Sequence, residues 1–479
     1  MLRIWAVARH TFIEAIRSRM TAIFMLILAG LLLALPHIAA SGTPRDRMQT
    51  FLDYSLTSSN VLLSVMTVLL ACGLIGLDVR KRTIFSTVTK PLSRWRYIVG
   101  RWLGLVLLQG MLVACCGAII YGVCYYLRQQ ASQAQRAVLD REVFTARHRH
   151  FPDPPNVQAQ VQARKAEMAK ENRLQQAIDS LGGGEAGERA VEMELGRTIE
   201  YQLQTAGPPY VAETIDPNSK ERVMELLPPL PLRWHFSGLK RPTGPKAEVQ
   251  LTFKLNPAQS VPDDLLPGLW TMTNPQTGAQ GMSRRTGDKT NVPTTITIPA
   301  MLISDDGRLD VTFININPVD PRKTYPVHVT IVSKDVSVLY PVGTFTPNFL
   351  RAMILLFCVQ AFLAAMGLVA GSFLSFPVAC LACFGLLVIG MASSFAMDTT
   401  AVYVDGIWTL LGYYSSRGVL IFLPNFVSAS PTEAMVDGLE ISWQRVLGTV
   451  GTFIFIQSTI ALVLASAIFT KRELAQVTA

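Results

Sequence analysis

Ala352–Met397 contains no charged residue. A helix needs about 20 apolar residues to cross a hydrocarbon core of ~30 Å, so this run is long enough to cross twice. Gly371, Ser372 and Pro377 place a turn between the two crossings. The same criterion selects Met20–Ala40, Thr57–Leu77, Trp102–Leu127 and Val446–Thr470. The chain is therefore expected to be a polytopic α-helical membrane protein with about six spans. Composition agrees, since 50% of the residues are hydrophobic and only 16% are charged, against about 25% charged in soluble proteins.

Charge fixes the expected orientation. Arg3, Arg9, Arg17 and Arg19 precede the first span, and Lys471-Arg472 follow the last. Arg80, Lys81, Arg82, Lys90, Arg94, Arg96 and Arg101 lie between the second and third. With six spans all these segments share one face, which the positive-inside rule assigns to the cytoplasm. The expectation is a multi-pass protein of the cell membrane with both termini cytoplasmic and a large extracytoplasmic middle. The net charge of +9 is then spent on membrane lipid, not on a nucleic acid. Within residues 1–19, Leu2, Trp5, Phe12, Ile13 and Ile16 form one stripe, with Arg3, His10, Glu14 and Arg17 mostly off it. That pattern predicts an amphipathic helix lying in the cytoplasmic interface rather than a cleaved leader. Trp408–Leu423 is apolar but is broken by Gly412, Arg417 and Gly418. A full crossing there would carry Lys471-Arg472 outside, so residues 401–440 are expected to be an external re-entrant segment.

Spans one to three occupy residues 20–127 and spans four to six residues 346–479. Between them an α+β domain is expected. Residues 128–230 are rich in Ala, Gln, Glu and Arg, with one apolar stripe through Val157, Val161, Met168, Leu174, Ile178 and Leu181. A second stripe runs through Val191, Leu195, Ile199 and Leu203, after the break at Gly182-Gly183-Gly184. The pattern predicts a helical hairpin, or a stalk continuing span three. Residues 231–345 switch to period two, as in Val249, Leu251, Phe253 and Leu255, and Asp306-Gly307 supplies a hairpin turn. Short strands with Pro/Gly-rich loops predict a β-sandwich of jelly-roll type. Trp234, Trp270 and Tyr325 are candidate ligand contacts of that domain, and core packing is the competing reading.

The chain lacks the glycine-rich P-loop, H-E-x-x-H and G-x-S-x-G patterns. No catalytic or metal site is expected. His148 and His150 lack a third ligand in view, and Cys380-x-x-Cys383 reads as small packing residues within a span. All seven cysteines lie in apolar runs, so no disulfide framework supports the middle domain. The spans carry almost no ionisable group: His37, Asp78 and Arg351 lie near their ends. A carrier coupled to protons or ions keeps such groups near the midplane. Energy for any transport is therefore expected from another subunit.

The stretch Asp78-Val-Arg-Lys-Arg82-Thr83-Ile84, then Pro91-Leu-Ser-Arg94 and Gly100-Arg101, resembles the ABC-2 type permease family, most of all its multicopper-enzyme-maturation branch. Glu14 and Arg17 near the start and Phe469-Thr-Lys-Arg472-Glu473 near the end extend the resemblance, with Leu423-Pro424-Asn425-Phe426 as a further match. Arg101 stands where the family has lysine and keeps the charge. The resemblance covers the two membrane portions and not the middle. It implies the membrane subunit of an ATP-driven exporter, working as a homo- or heterodimer. A cytoplasmic ATPase on a separate chain would carry ATP and Mg, so this chain needs no cofactor and is not itself an enzyme. The implied coupling element is the loop 78–101, through Asp78, Arg82, Thr83, Pro91, Arg94 and Gly100. Gly100-x-x-x-Gly104 and Gly367-x-x-x-Gly371 allow close helix packing, within the chain or across a dimer. A middle domain without cysteine or clustered methionine offers nothing for copper. The rival reading is a non-transporting membrane protein whose external sandwich binds a glycan or a protein.

Overall fold

A computed structural model describes residues 2–38, 43–80, 93–171, 173–208, 210–215, 222–227, 230–242, 248–319, 327–399 and 426–471. The chain divides into two units, residues 1–146 with 342–479, and residues 147–341.

The first unit begins with α1 (Leu2–Ile16), α2 (Arg19–Ile38), α3 (Pro44–Arg80), α4 (Arg94–Gln130) and α5 (Gln133–Glu142). Proline at the first position of α3 has no N–H to leave unpaired. Just before it, Thr43 and Asp46 cap each other: the Thr43 N–H donates to Asp46 Oδ2 at 3.1 Å and the Asp46 N–H to Thr43 Oγ1 at 3.2 Å. α3 thus starts well ahead of the expected Thr57, because a capped polar turn extends the apolar helix. The Ser132–Gln135 capping box starts α5, and ion pairs tie that helix down. Arg128 reaches Asp140 at 2.6 Å and Arg45 reaches Glu142 at 2.7 Å. Span three therefore does not continue as a stalk.

The second unit opens with β1 (Thr145–His150), α6 (Val157–Lys170), α7 (Leu174–Ser180) and α8 (Gly184–Gln204). Glycines 182–184 all have positive φ, a backbone that only glycine adopts freely, and they turn α7 back onto α8. Val161, Val191 and Ile199 are buried. Next come β2 (Thr205–Ala206), β3 (Tyr210–Ile215), β4 (Arg222–Leu227), β5 (Leu232–Phe236), β6 (Glu248–Phe253) and β7 (Asn256–Pro257). They are followed by β8 (Leu265–Thr273), β9 (Gln280–Lys289), β10 (Thr294–Pro299), β11 (Leu309–Ile314), β12 (Val329–Thr330) and β13 (Val336–Thr344). The helical expectation for residues 128–230 is corrected at three places, one being the short β2, which pairs with β12. β1 is a strand of the sandwich, and β3 pairs antiparallel with β4 from Tyr210↔Leu227 to Ile215↔Arg222.

The sandwich consists of two four-stranded sheets, ordered β1-β13-β6-β10 and β5-β11-β8-β9. Successive strands change sheets except at the β8–β9 hairpin, which gives the double Greek-key winding of a jelly roll. Asp306-Gly307 forms a turn, with Gly307 at φ 78°. It does not close a hairpin, because β10 and β11 lie in different sheets. Alternation buries Leu232, Trp234 and Phe236 from one sheet and Val249, Leu251 and Phe253 from the other in one core. Trp270 is fully buried there, 4.1 Å from Phe253 and 4.7 Å from Phe313 between ring centres.

Returning to the first unit, α9 (Phe345–Phe373) and α10 (Phe376–Thr399) are separated at Leu374-Ser375. This break falls within the turn expected from Gly371, Ser372 and Pro377, although Gly371 and Ser372 themselves are still helical. After α11 (Phe426–Ala429) and α12 (Thr432–Val436), α13 (Trp443–Thr449) continues through a π-wound stretch, Val450–Gln457, into α14 (Ser458–Lys471). α9 packs against α3, α4, α10 and α14. Among the described residues five helices are long and apolar enough to cross a membrane: Arg19–His37, Pro44–Leu74, Arg94–Gln130, Phe345–Phe373 and Trp443–Phe469. A sixth span was expected here; the apolar part of α10, Phe376–Met391, is shorter. The protein is membrane-embedded on this evidence of length and composition.

Candidate functional site

The first turns of α4 are where sequence and structure converge. Arg94 Nη1 donates to the carbonyl of Phe469 at 3.3 Å, and Tyr97 stacks on the Phe469 ring with centroids 5.8 Å apart. Both contacts fasten α4 to α14. On another side α4 meets α1 through Gly100 and Gly104. A Cβ on Gly100 would lie 2.7 Å from Val7 Cβ, and one on Gly104 would lie 2.5 Å from Thr11 Cβ. Only glycine permits this approach.

The crossing brings a buried ion pair together. Arg101 donates to Glu14 at 2.8 Å and to the Thr11 hydroxyl and the Tyr97 phenol at 3.3 Å each. Its guanidinium also lies 5.4 Å from the Tyr97 ring centre. Arg101 was legible only as a family-like cation, and its partner was not, because Glu14 lies 87 positions away. α1 packs with Ala8, Thr11 and Ala15, all buried, while Trp5 and Ile16 of the expected stripe are exposed. The small face meets protein, Phe12 is half-buried against the core, and Trp5 and Ile16 are left outside.

Of the other residues expected to couple, Asp78 lies on the last turns of α3, and Arg82, Thr83 and Pro91 lie outside the described residues. Gly367 and Gly371 serve contacts within the chain. A Cβ on Gly367 would lie 2.4 Å from Ala71 Cβ, and one on Gly371 would lie 2.9 Å from the Cys72 carbonyl oxygen. The same crossing brings Cys72 Sγ to 3.8 Å from Cys383 Sγ, so the Cys-x-x-Cys pair packs against a third thiol. Midway along, Gln360 donates to Ser64 at 3.1 Å and to Asn60 at 3.3 Å and bonds Thr67 at 2.9 Å. This neutral polar knot between α3 and α9 was invisible in a search for charges.

Residues 426–440 were expected to be part of a re-entrant segment, whose residues 401–425 lie outside the described residues. Phe426 contacts Phe362 at 6.1 Å between ring centres, while Asn348 donates to the Leu439 carbonyl at 2.7 Å. The segment thus runs beside fourteen residues of α9, about 21 Å of helix.

In the sandwich, Trp234 and Trp270 are corrected from ligand contacts to core. They are 4% and 0% exposed and stack on each other at 5.9 Å, so neither offers a face to a sugar. Tyr325 lies outside the described residues. His148 sits 5.5 Å from the Tyr340 ring, and among the described residues no His/Cys/Asp/Glu group has a metal-binding arrangement. Compared with family models, with curated proteins and with solved structures, the chain matches none.

Proposed function

We propose that this chain is the membrane permease subunit of an ABC-2 type export system, energised by a separate ATPase and working as a dimer. The observation that carries the reading is the locking of the start of α4 to α1 by the Arg101–Glu14 pair and to α14 by Arg94 and Tyr97. A push delivered just ahead of Arg94 would move three helices as one body, as an energy-coupling loop requires. The resemblance in residues 78–101 supplies the identity of the pusher, a cytoplasmic ATPase dimer. In this reading both termini and that loop face the cytoplasm, and the jelly roll faces outward to receive cargo or dock an envelope partner. The rival, a non-transporting anchor for the sandwich, draws support from the jelly-roll winding but loses Trp234 and Trp270 as platforms to the core.

The test is co-purification of the full chain with the ATPase encoded beside it. Arg94→Glu should weaken that association or uncouple ATP turnover, since a reversed rim charge repels where it formerly steered docking. Membrane insertion should persist, because the loop retains a clear excess of Lys and Arg. Thr83→Ala, which leaves the charge pattern alone, is the mild control. Unchanged association and turnover in Arg94→Glu would reject coupling through this residue. Absence of any ATPase from the complex would favour the anchor.

A further inference from the structure

The elbow between α1 and α2 borders a cavity of about 680 Å³, within the range of small-ligand sites. Its walls are apolar, with Ala15 and Met20 from α1 and α2, Leu69, Leu70, Gly73 and Leu74 from α3, and Phe376 with Pro377 from α10. Met20 and Phe376 are 40% and 43% exposed, so the cavity opens beside them. Both belong to apolar helices, and in a bilayer such an opening faces acyl chains. Three polar residues, Glu14, Ser18 and Ser375, also line the cavity. Glu14 takes Arg101 from the α4 side yet keeps 30% of its side chain exposed, and a carboxylate has about four acceptor positions. Arg17 and Arg19 flank Ser18 in sequence, and both are exposed.

A part-exposed carboxylate lining an apolar slot, with exposed arginines one residue either side of the lining Ser18, complements a zwitterion with one fatty chain inside. We propose that this cavity binds one molecule of an amine-bearing phospholipid. An acyl chain fills the slot against Gly73 and Phe376, the ammonium donates to Glu14, and the phosphodiester lies at Arg17 and Arg19. An anionic lipid without an amine would satisfy the arginines but place a hydroxylated head against the carboxylate. A choline head would bring charge without N–H donors. The site thus distinguishes headgroups, which a merely greasy groove would not. It rests on membrane embedding alone and is independent of the export reading.

The experiment is native mass spectrometry of the full chain in detergent, titrated separately with phosphatidylethanolamine, phosphatidylglycerol and phosphatidylcholine of identical chains. Phosphatidylethanolamine should be retained about fivefold more than either competitor, the scale of one part-exposed charge contact. Gly73→Leu, which fills the slot, should reduce that retention by a similar factor. Ser375→Trp blocks the same cavity from the α9–α10 elbow, should Gly73→Leu fail to accumulate. Replacing both Arg17 and Arg19 with Gln should narrow the preference for phosphatidylethanolamine over a neutral lipid such as diacylglycerol. Equal retention of the three phospholipids, preference for phosphatidylglycerol, or full retention in the blocked variants would overturn the proposal.

Discussion

Arg101 shows how much a single residue carries in this bundle. Only 6% of its side chain is exposed, and removing a buried guanidinium from water costs several kcal/mol unless its partners are well placed. Glu14, Thr11 and Tyr97 provide them. Arg101→Met should therefore lower stability by about 3 kcal/mol, at the low end for broken buried pairs because Glu14 remains partly solvated. Arg101→Lys should lose less, though one ammonium cannot reproduce the planar fork. Arg101→Met combined with Glu14→Gln should recover part of the loss, since no charge is then left unpaired. Thermal melting of the purified full chain reads all three, and additive single losses would show that the pair is not coupled. Gly104 makes a sharper contrast. Gly104→Ala forces a methyl to within 2.6 Å of the Ala8 carbonyl oxygen, and overpacking of this kind costs about 1–3 kcal/mol. Gly122→Ala on the same helix meets nothing within 4 Å and should be neutral or slightly stabilising.

At the scale of elements, the second unit should behave as an ordinary soluble domain. Its core is closed by its own strands, so a fragment of residues 145–344, which keeps β1 and β13 whole, is expected to fold without detergent and show both helix and strand by circular dichroism. Having no cysteine, it should melt at the same temperature with or without reductant. Trp270→Ala in that fragment should cost about 3–5 kcal/mol, read by urea denaturation. The Asp306 turn adds a pH test. The Ser304 hydroxyl, and after it Arg308, hold the Asp306 carboxyl below the usual carboxylate value. A lowered folded value means that its contribution is complete above about pH 4 and lost as pH falls through that value. Asp306→Asn should thus lower the melting temperature at pH 7, with the gap from the parent closing toward pH 2. The reasons some elements were legible and others not are physical. β6 and β11 alternate apolar and polar residues, so their period shows. β1 reads Thr-Ala-Arg-His-Arg-His and is a strand only because β13 pairs with it at a sheet edge. Strand order is likewise invisible locally, since β10 and β11 join different sheets across a turn that looks like a hairpin. α3 and α4 were found by their apolar centres, while their ends were set by Thr43–Asp46 and by a helix running far past the hydrocarbon limit.

For the whole molecule, the open property is which face of the bundle sees the cytoplasm, and the charges make a definite statement. Each charge displaced to the wrong side of a short loop works against insertion. Arg3, Arg9, Arg17 and Arg19 before α2, the basic stretch between α3 and α4, and Lys471-Arg472 after α14 are therefore expected to share one side. That side is common to all three segments only if the apolar chain crosses an even number of times between the first and the last. Among the described residues five helices meet the length criterion, and in the six-span reading α10 would supply the remaining crossing, although its described apolar part is short. Single cysteines placed at Ser132, Lys289 and Ser430 of a cysteine-free variant should then react with an impermeant thiol reagent in intact cells. One at Ser86 should react only after permeabilisation. If α10 failed to cross, Ser430 would label with Ser86 instead of with Lys289, and α14 would begin and end on opposite sides from those expected. Ser430 labelling together with Lys289 would establish α10 as the sixth crossing. Labelling of Ser86 from outside would reverse the whole topology and remove the coupling loop from reach of any cytoplasmic ATPase.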